Sequence, residues 1–170
     1  MGMFVWAVGL LNLEGYFRRS EKVSGHMSVL AQSWGNLAYT DSGSSGYPVV
    51  FLHGTGCDPK DWQPVIQALP VEVRKVVVDF RGHGQSDVPV SPFTIGDLAA
   101  DVVCVLSHLK LEKPLIVGHS LGGMVAMCVA RGCDNVGGLI LLEGWTSLVC
   151  ASDAFCSGVV EVFLDVRSTI

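Results

Sequence analysis

The chain has 170 residues, of which 49% are apolar and only 16% charged, with a net charge of −5 and a pI near 5.4. That length suits one domain with a sizeable core, and the apolar fraction excludes a disordered chain. Nothing basic marks a nucleic-acid partner or an anionic membrane surface, so neither is expected.

The six cysteines, at 57, 104, 128, 133, 150 and 156, form no C-x-x-C pair and have no histidine at metal-ligand spacing. No metal and no cofactor is expected. Cys104 and Cys128 sit inside apolar helical runs and read as small hydrophobes, which suits a reduced, cytoplasmic compartment. Residues 3–13 are apolar but too short to span a bilayer, and no basic residue precedes them as in a signal peptide. Arg18 and Arg19 leave a weak membrane-associating or targeting role open. The preferred reading makes 1–26 an irregular extension, with the domain beginning near Met27.

Residues 29–32 and 37–40 read as two short strands around a turn at 33–36, and 41–46 as a Gly/Ser loop. The run Pro48-Val-Val-Phe-Leu is continuous and apolar, as in a strand covered on both faces. Asp58 and Pro59 supply an N-cap and a first helical residue, and the helix should run to about Leu69 with Trp62, Val65, Ile66 and Leu69 on one face. Residues 73–79 form the next strand, and 80–87 a polar loop. Thr94 and Asp97 make a capping box for a helix whose apolar stripe is Ile95, Leu98, Val102, Leu106 and Leu109. Leu115 to Val117 form a strand, an apolar helix follows residue 120, and 136–143 form a further strand. Strands alternating with helices from 48 to 143 predict a mostly parallel, doubly wound α/β sheet. After Gly144 the pattern weakens; 148–155 and 159–166 carry no firm assignment.

The junction Gly118-His119-Ser120-Leu121-Gly122 places G-x-S-x-G between a strand and a helix, which is the pattern of a nucleophile elbow. The two glycines permit the sharp turn, and Ser120 is exposed at the carboxyl edge of the sheet, over a helix N-terminus that favours negative charge. The loops at 53–56 and 80–87 fall at carboxyl ends of neighbouring parallel strands, the edge where open α/β sheets bind ligands. Small residues at His53-Gly54-Thr55-Gly56 can turn backbone N–H groups inward. Thr55, with Gly56 behind it, and Leu121 are the candidate oxyanion-hole donors.

HGTG, then DFRGHGQSD, then GHSLGG, in this order, resembles the α/β-hydrolase superfamily, in the branch of serine esterases and haloperoxidase-like enzymes. The resemblance covers about residues 28–145, the N-terminal part of that fold. It implies Ser120 as nucleophile of a serine hydrolase acting on a carboxylic ester or similar small acyl substrate. Serine at 120 argues against the members that use aspartate there, the epoxide hydrolases and haloalkane dehalogenases.

The resemblance also implies a triad in the order Ser, acid, His, yet His26, His53, His83, His108 and His119 all precede Ser120. His119 adjoins the serine, and neighbours in a tight turn point apart. Of the acids after Ser120, Glu143 at the end of the following strand is the candidate triad acid; the alternative makes it a loop residue opening a cap region. Asp153, Glu161 and Asp165 fall in the unassigned tail.

The expected organisation is an extension at 1–26, a hydrolase core at 27–145, and at 146–170 the start of a cap or an unassigned tail. The C-terminal strands and the catalytic histidine are expected to be missing. The chain then reads as a truncated hydrolase, incomplete as given, whose open sheet edge invites self-association. The competing reading is a catalytically inactive binding module or fragment of the same fold.

Overall fold

A computed structural model of the chain describes residues 25–143. The expectations for the N-terminal extension and for the tail beyond Glu143 lie outside the described residues.

The continuous apolar runs become the central strands. β3 (Pro48–Leu52) lies between β4 (Arg74–Val78) and β5 (Leu115–His119), all parallel, with Leu52 beside Val78 on one side and Gly118 on the other. β6 (Gly138–Leu142) pairs in parallel with β5. The hairpin of β1 (His26–Gln32) and β2 (Gly35–Asp41) joins antiparallel through β2 and β4. The order among the described residues is β1-β2-β4-β3-β5-β6. The hairpin turn is tighter than the sequence pattern suggested, because Gln32 pairs directly with Gly35.

Strand alternation divides the buried side chains between two layers. Val50, Leu52, Val76, Val78 and Ile116 face α2 (Ile95–His108) and α3 (Leu121–Gly132), whose apolar stripes complete the larger core. Val49, Phe51, Val77 and Val117 point the other way, toward Trp62 and Ile66. Each such side chain removed from water contributes about 1.5–3 kcal/mol against the entropy of ordering the chain.

The predicted helix after Asp58 is two pieces. A 3-10 turn, Pro59–Trp62, leads into α1 (Gln63–Ala68), with Pro64 removing a backbone donor near the join. Asp58 does cap the turn, through a box with Asp61. Trp62 and Ile66 are buried, but Val65 is 42% exposed and does not share their face. Thr94 and Asp97 close both halves of the capping box at the start of α2. Cys104 on α2 is exposed, so it is not the core residue its apolar neighbours suggested.

This strand order places the site. The chain leaves β3 for β4 on one side and leaves β5 for β6 on the other. Crossovers of one hand then put α1 and α3 on opposite faces, and a crevice opens between β3 and β5 at their carboxyl ends. The loop after Leu52 and the turn at Ser120 border that crevice.

Candidate active site

Ser120 is the only residue between β5 and α3. Its backbone sits at φ 51° and ψ −114°, a region costly for a residue with a Cβ, which the surroundings must hold in place. Its N–H donates to Leu142 O at the end of β6 (2.9 Å), and its carbonyl accepts from Gly123 N (2.9 Å) and Met124 N (3.3 Å) in the first turn of α3. A Cβ on Gly118 would collide with Gly122 O, and one on Gly122 with Leu52 O. The two glycines of the motif therefore let β5, α3 and β3 meet at one point.

The candidate oxyanion donors lie on either side of that point. Leu121 N–H is the first amide of α3 and has no acceptor within its own helix. Thr55 is exposed in the loop after β3, and its N–H donates to none of the described residues. Gly56, read from sequence as a donor behind Thr55, is otherwise engaged: its N–H donates to His83 Nε2 at 3.3 Å.

His53 and His83 are both tied to backbone. His53 is 1% exposed, bonds Gly54 O through Nδ1 (2.8 Å) and accepts Phe80 N–H on Nε2 (3.1 Å). This fixes the Nδ1–H tautomer, and burial holds the imidazole pKa below its ordinary value. His83 bonds Arg81 O through Nδ1 at 3.2 Å.

His119 lies between the Gly54 loop and Glu143. A Cβ on Gly54 would stand 2.9 Å from its Nδ1 and 3.3 Å from Cys57 Sγ, while Nε2 lies 3.4 Å from Glu143 Oε2. Glu143 thus reaches the ring beside Ser120 rather than Ser120 itself, from an exposed position with its own backbone at φ 51°. His26 starts β1, and His108, at the end of α2, packs edge-on to Tyr39. Among the described residues, no histidine is hydrogen-bonded to Ser120, and no three of His, Cys, Asp and Glu form a metal-ligand set. No helix among them is long and apolar enough to cross a membrane.

The polar loop after β4 is a brace. Arg81 forms a bidentate pair with Asp101 on α2 (both contacts 2.7 Å), and lies 4.5 Å over the Trp34 ring. Trp34 Nε1 also donates to Asp101 Oδ1 at 3.0 Å. Ser86 Oγ donates to Asp79 O and accepts from Ala38 N, and Asp87 accepts from Asn36. Buried Asp79 accepts Gln85 N–H at 2.8 Å, and burial raises its pKa despite that bond. Sequence reasoning passed over Trp34, Asp79 and Asp101. A signal did exist for Asp101: it interrupts the apolar stripe of α2, three residues after Leu98 and one before Val102.

A model of the α/β-hydrolase fold matches residues 47–155. The chain is 37% identical over 120 residues to a soluble epoxide hydrolase of Corynebacterium sp., covering 70% of this chain and 42% of that protein. It is 34% identical over 140 residues to a non-heme chloroperoxidase of Streptomyces lividans, covering 79% and 51%. A solved structure of an esterase described as degrading N-acyl homoserine lactones superposes with a TM-score of 0.68 at 30% identity, over 79% of this chain and 52% of that one. The chain spans about half, or less, of the length of these relatives. With a serine-bearing strand–helix turn at the switch point of a β2-β4-β3-β5-β6 sheet and a family match over most of its length, the chain belongs to the α/β-hydrolase family.

Proposed function

We propose that the chain carries the nucleophile and oxyanion hole of a serine hydrolase acting on a small carboxylic ester, lactone or similar acyl substrate. Ser120 Oγ attacks the carbonyl carbon, and the N–H groups of Thr55 and Leu121 receive the developing oxyanion. The carbon–oxygen bond to the leaving alcohol breaks, and water then cleaves the acyl-enzyme. The observation that carries this reading is the backbone of Ser120, held at φ 51° between β5 and α3 beside the Thr55 loop. Relatives that include a 3-oxoadipate enol-lactonase of Acinetobacter baylyi support the acyl substrate class. Serine, rather than aspartate, at position 120 favours acyl chemistry over epoxide opening.

The proton on Oγ needs an acceptor. All five histidines precede Ser120, so none holds the place that the order Ser, acid, His gives the base, and Glu143 is the candidate acid. A fluorophosphonate probe tests the proposal. Labelling of the chain that is lost in Ser120→Ala supports an activated serine.

The engaged histidines favour a second reading, a binding module of the same fold that keeps the crevice without the chemistry. No labelling, together with ester binding that is unchanged in Ser120→Ala, would select it.

A further inference from the structure

The loops after β3 and β4 are joined by two imidazoles arranged reciprocally. His53, from the first loop, accepts the N–H of Phe80 in the second (3.1 Å). His83, from the second, accepts the N–H of Gly56 in the first (3.3 Å). Each ring spends its other nitrogen on a carbonyl, Gly54 O for His53 and Arg81 O for His83, and the rings lie 5.0 Å apart at 55°. The two carbonyl bonds place the proton on Nδ1, and the two N–H bonds accepted on Nε2 require that each imidazole be neutral.

We propose that His83 is a positioning residue that latches the Gly54–Thr55–Gly56 loop beside Ser120 only while it is neutral, so that mild acid unlatches the loop. Protonation turns Nε2 from acceptor to donor, and it then faces the Gly56 N–H, another donor. That contact opens, and Gly56, at φ 69° with open space around its Cα, is free to swing and carry Thr55 with it. His53 cannot substitute, since its acceptor nitrogen is buried against Phe80.

The charged and titratable groups around the pair are Asp79 at the end of β4, which acts on His83, and Asp58 and Asp61 of the 3-10 turn, which act on His53. Lys60 acts on Asp79 from the same turn. Asp79 is buried and its pKa is raised, so its titration must be separated from that of His83, which the His83→Gln variant does. The consequence for function rests on the reading of Thr55 as an oxyanion donor; the latch itself does not.

Proton–nitrogen NMR correlation on the full chain tests it, following the Gly56 and Thr55 amides and the His83 ring from about pH 8 to about pH 5, across the usual histidine range. The expected result is a Gly56 amide that loses its hydrogen-bonded shift in step with protonation of His83 Nε2. In His83→Gln, whose side-chain oxygen accepts but does not titrate, Gly56 should keep the bonded shift throughout. In His83→Phe it should be unbonded at every pH. A Gly56 shift that ignores the His83 titration, or that follows the same pH curve in His83→Gln, overturns the proposal. Ser120 labelling reads the hydrolase reading separately: an intact latch with no labelling would sink that reading alone.

Discussion

Gly122 in the first turn of α3 lies so close to the carbonyl of Leu52 at the end of β3 that even a methyl group has no room between them. The contact sets how deeply α3 sits against the sheet, and with it the height of Ser120 above the crevice. Gly122→Ala should therefore push α3 off β3, lower the melting temperature and abolish probe labelling of Ser120. The control is Gly132→Ala at the other end of the same helix, where a Cβ meets nothing within 4 Å. That change should be neutral or stabilising by up to about 1 kcal/mol. Equal effects of the two substitutions on melting and labelling would refute the packing argument.

The strain at Ser120 should be measurable. A residue held in such a backbone region costs about 1–3 kcal/mol, which glycine largely escapes at its own entropic cost of about 0.5–1 kcal/mol. Ser120→Gly should raise the stability of the chain by about 1 kcal/mol while removing the candidate nucleophile. Denaturant unfolding of the two proteins checks this; a destabilised glycine variant counts against stored strain.

Arg81 and Asp101 are buried as a pair, with the Trp34 indole on both. Removing Arg81 leaves Asp101 buried without its cation, and removing Asp101 leaves Arg81 only the more distant Asp97 carboxylate, 3.9 Å away. Asp101→Leu should cost about 3–5 kcal/mol, and Arg81→Met a similar amount. The double variant Arg81→Met, Asp101→Leu should cost much less than the two singles together. Additive losses in a double-mutant cycle would show that the pair does not act as a unit.

Asp79 gives a pH signature. Burial raises its folded-state pKa above the ordinary 3.8, so the folded protein favours the protonated carboxyl. The stabilising contribution is then full below about pH 4 and is lost as pH rises through the folded value. Asn at this position keeps an oxygen for the Gln85 N–H and cannot ionise. The melting temperature of Asp79→Asn relative to the parent should therefore rise between about pH 4 and about pH 7. A difference that stays flat, or falls, over that range would contradict the assigned direction.

His53 acts with the opposite proton sign. Its folded pKa lies below 6.5, chiefly because burial penalises the imidazolium. The stability it contributes is present above about pH 6.5 and is lost as pH falls toward the folded value. His53→Asn removes this titration, so its unfolding midpoint should depend less on pH between about 7 and 5 than that of the parent. An unchanged pH dependence in urea titrations would show that His53 is not among the groups responsible.

Much of the frame was legible in the sequence because it rests on local rules. Residues 48–52 are apolar without interruption, and only a strand covered on both faces makes use of that. Thr94 and Asp97 stand three apart, the spacing of a box that satisfies two helix-end amides. Gly118 and Gly122 flank Ser120 because a turn that sharp has no space for a Cβ. Where local rules competed, the reading slipped: Pro64 broke the helix after Asp58 and turned Val65 outward.

Partners were not legible, because they join residues far apart in the chain. Trp34 and Asp101 are 67 positions apart, and Gly56 and His83 are 27 apart. Which carbonyl or ring meets which amide depends on strand order and register, and periodicity carries no information about either. The sequence alone determined the elements, the turn at Ser120 and the family resemblance. Only the tertiary structure decided that His53 and His83 are spent holding two loops together, that Glu143 meets His119 rather than Ser120, and that the DFRGHGQSD stretch is a brace. The physical reason is that a buried polar group takes whatever partner the fold brings within about 3 Å, since leaving it unpaired costs about 1–3 kcal/mol.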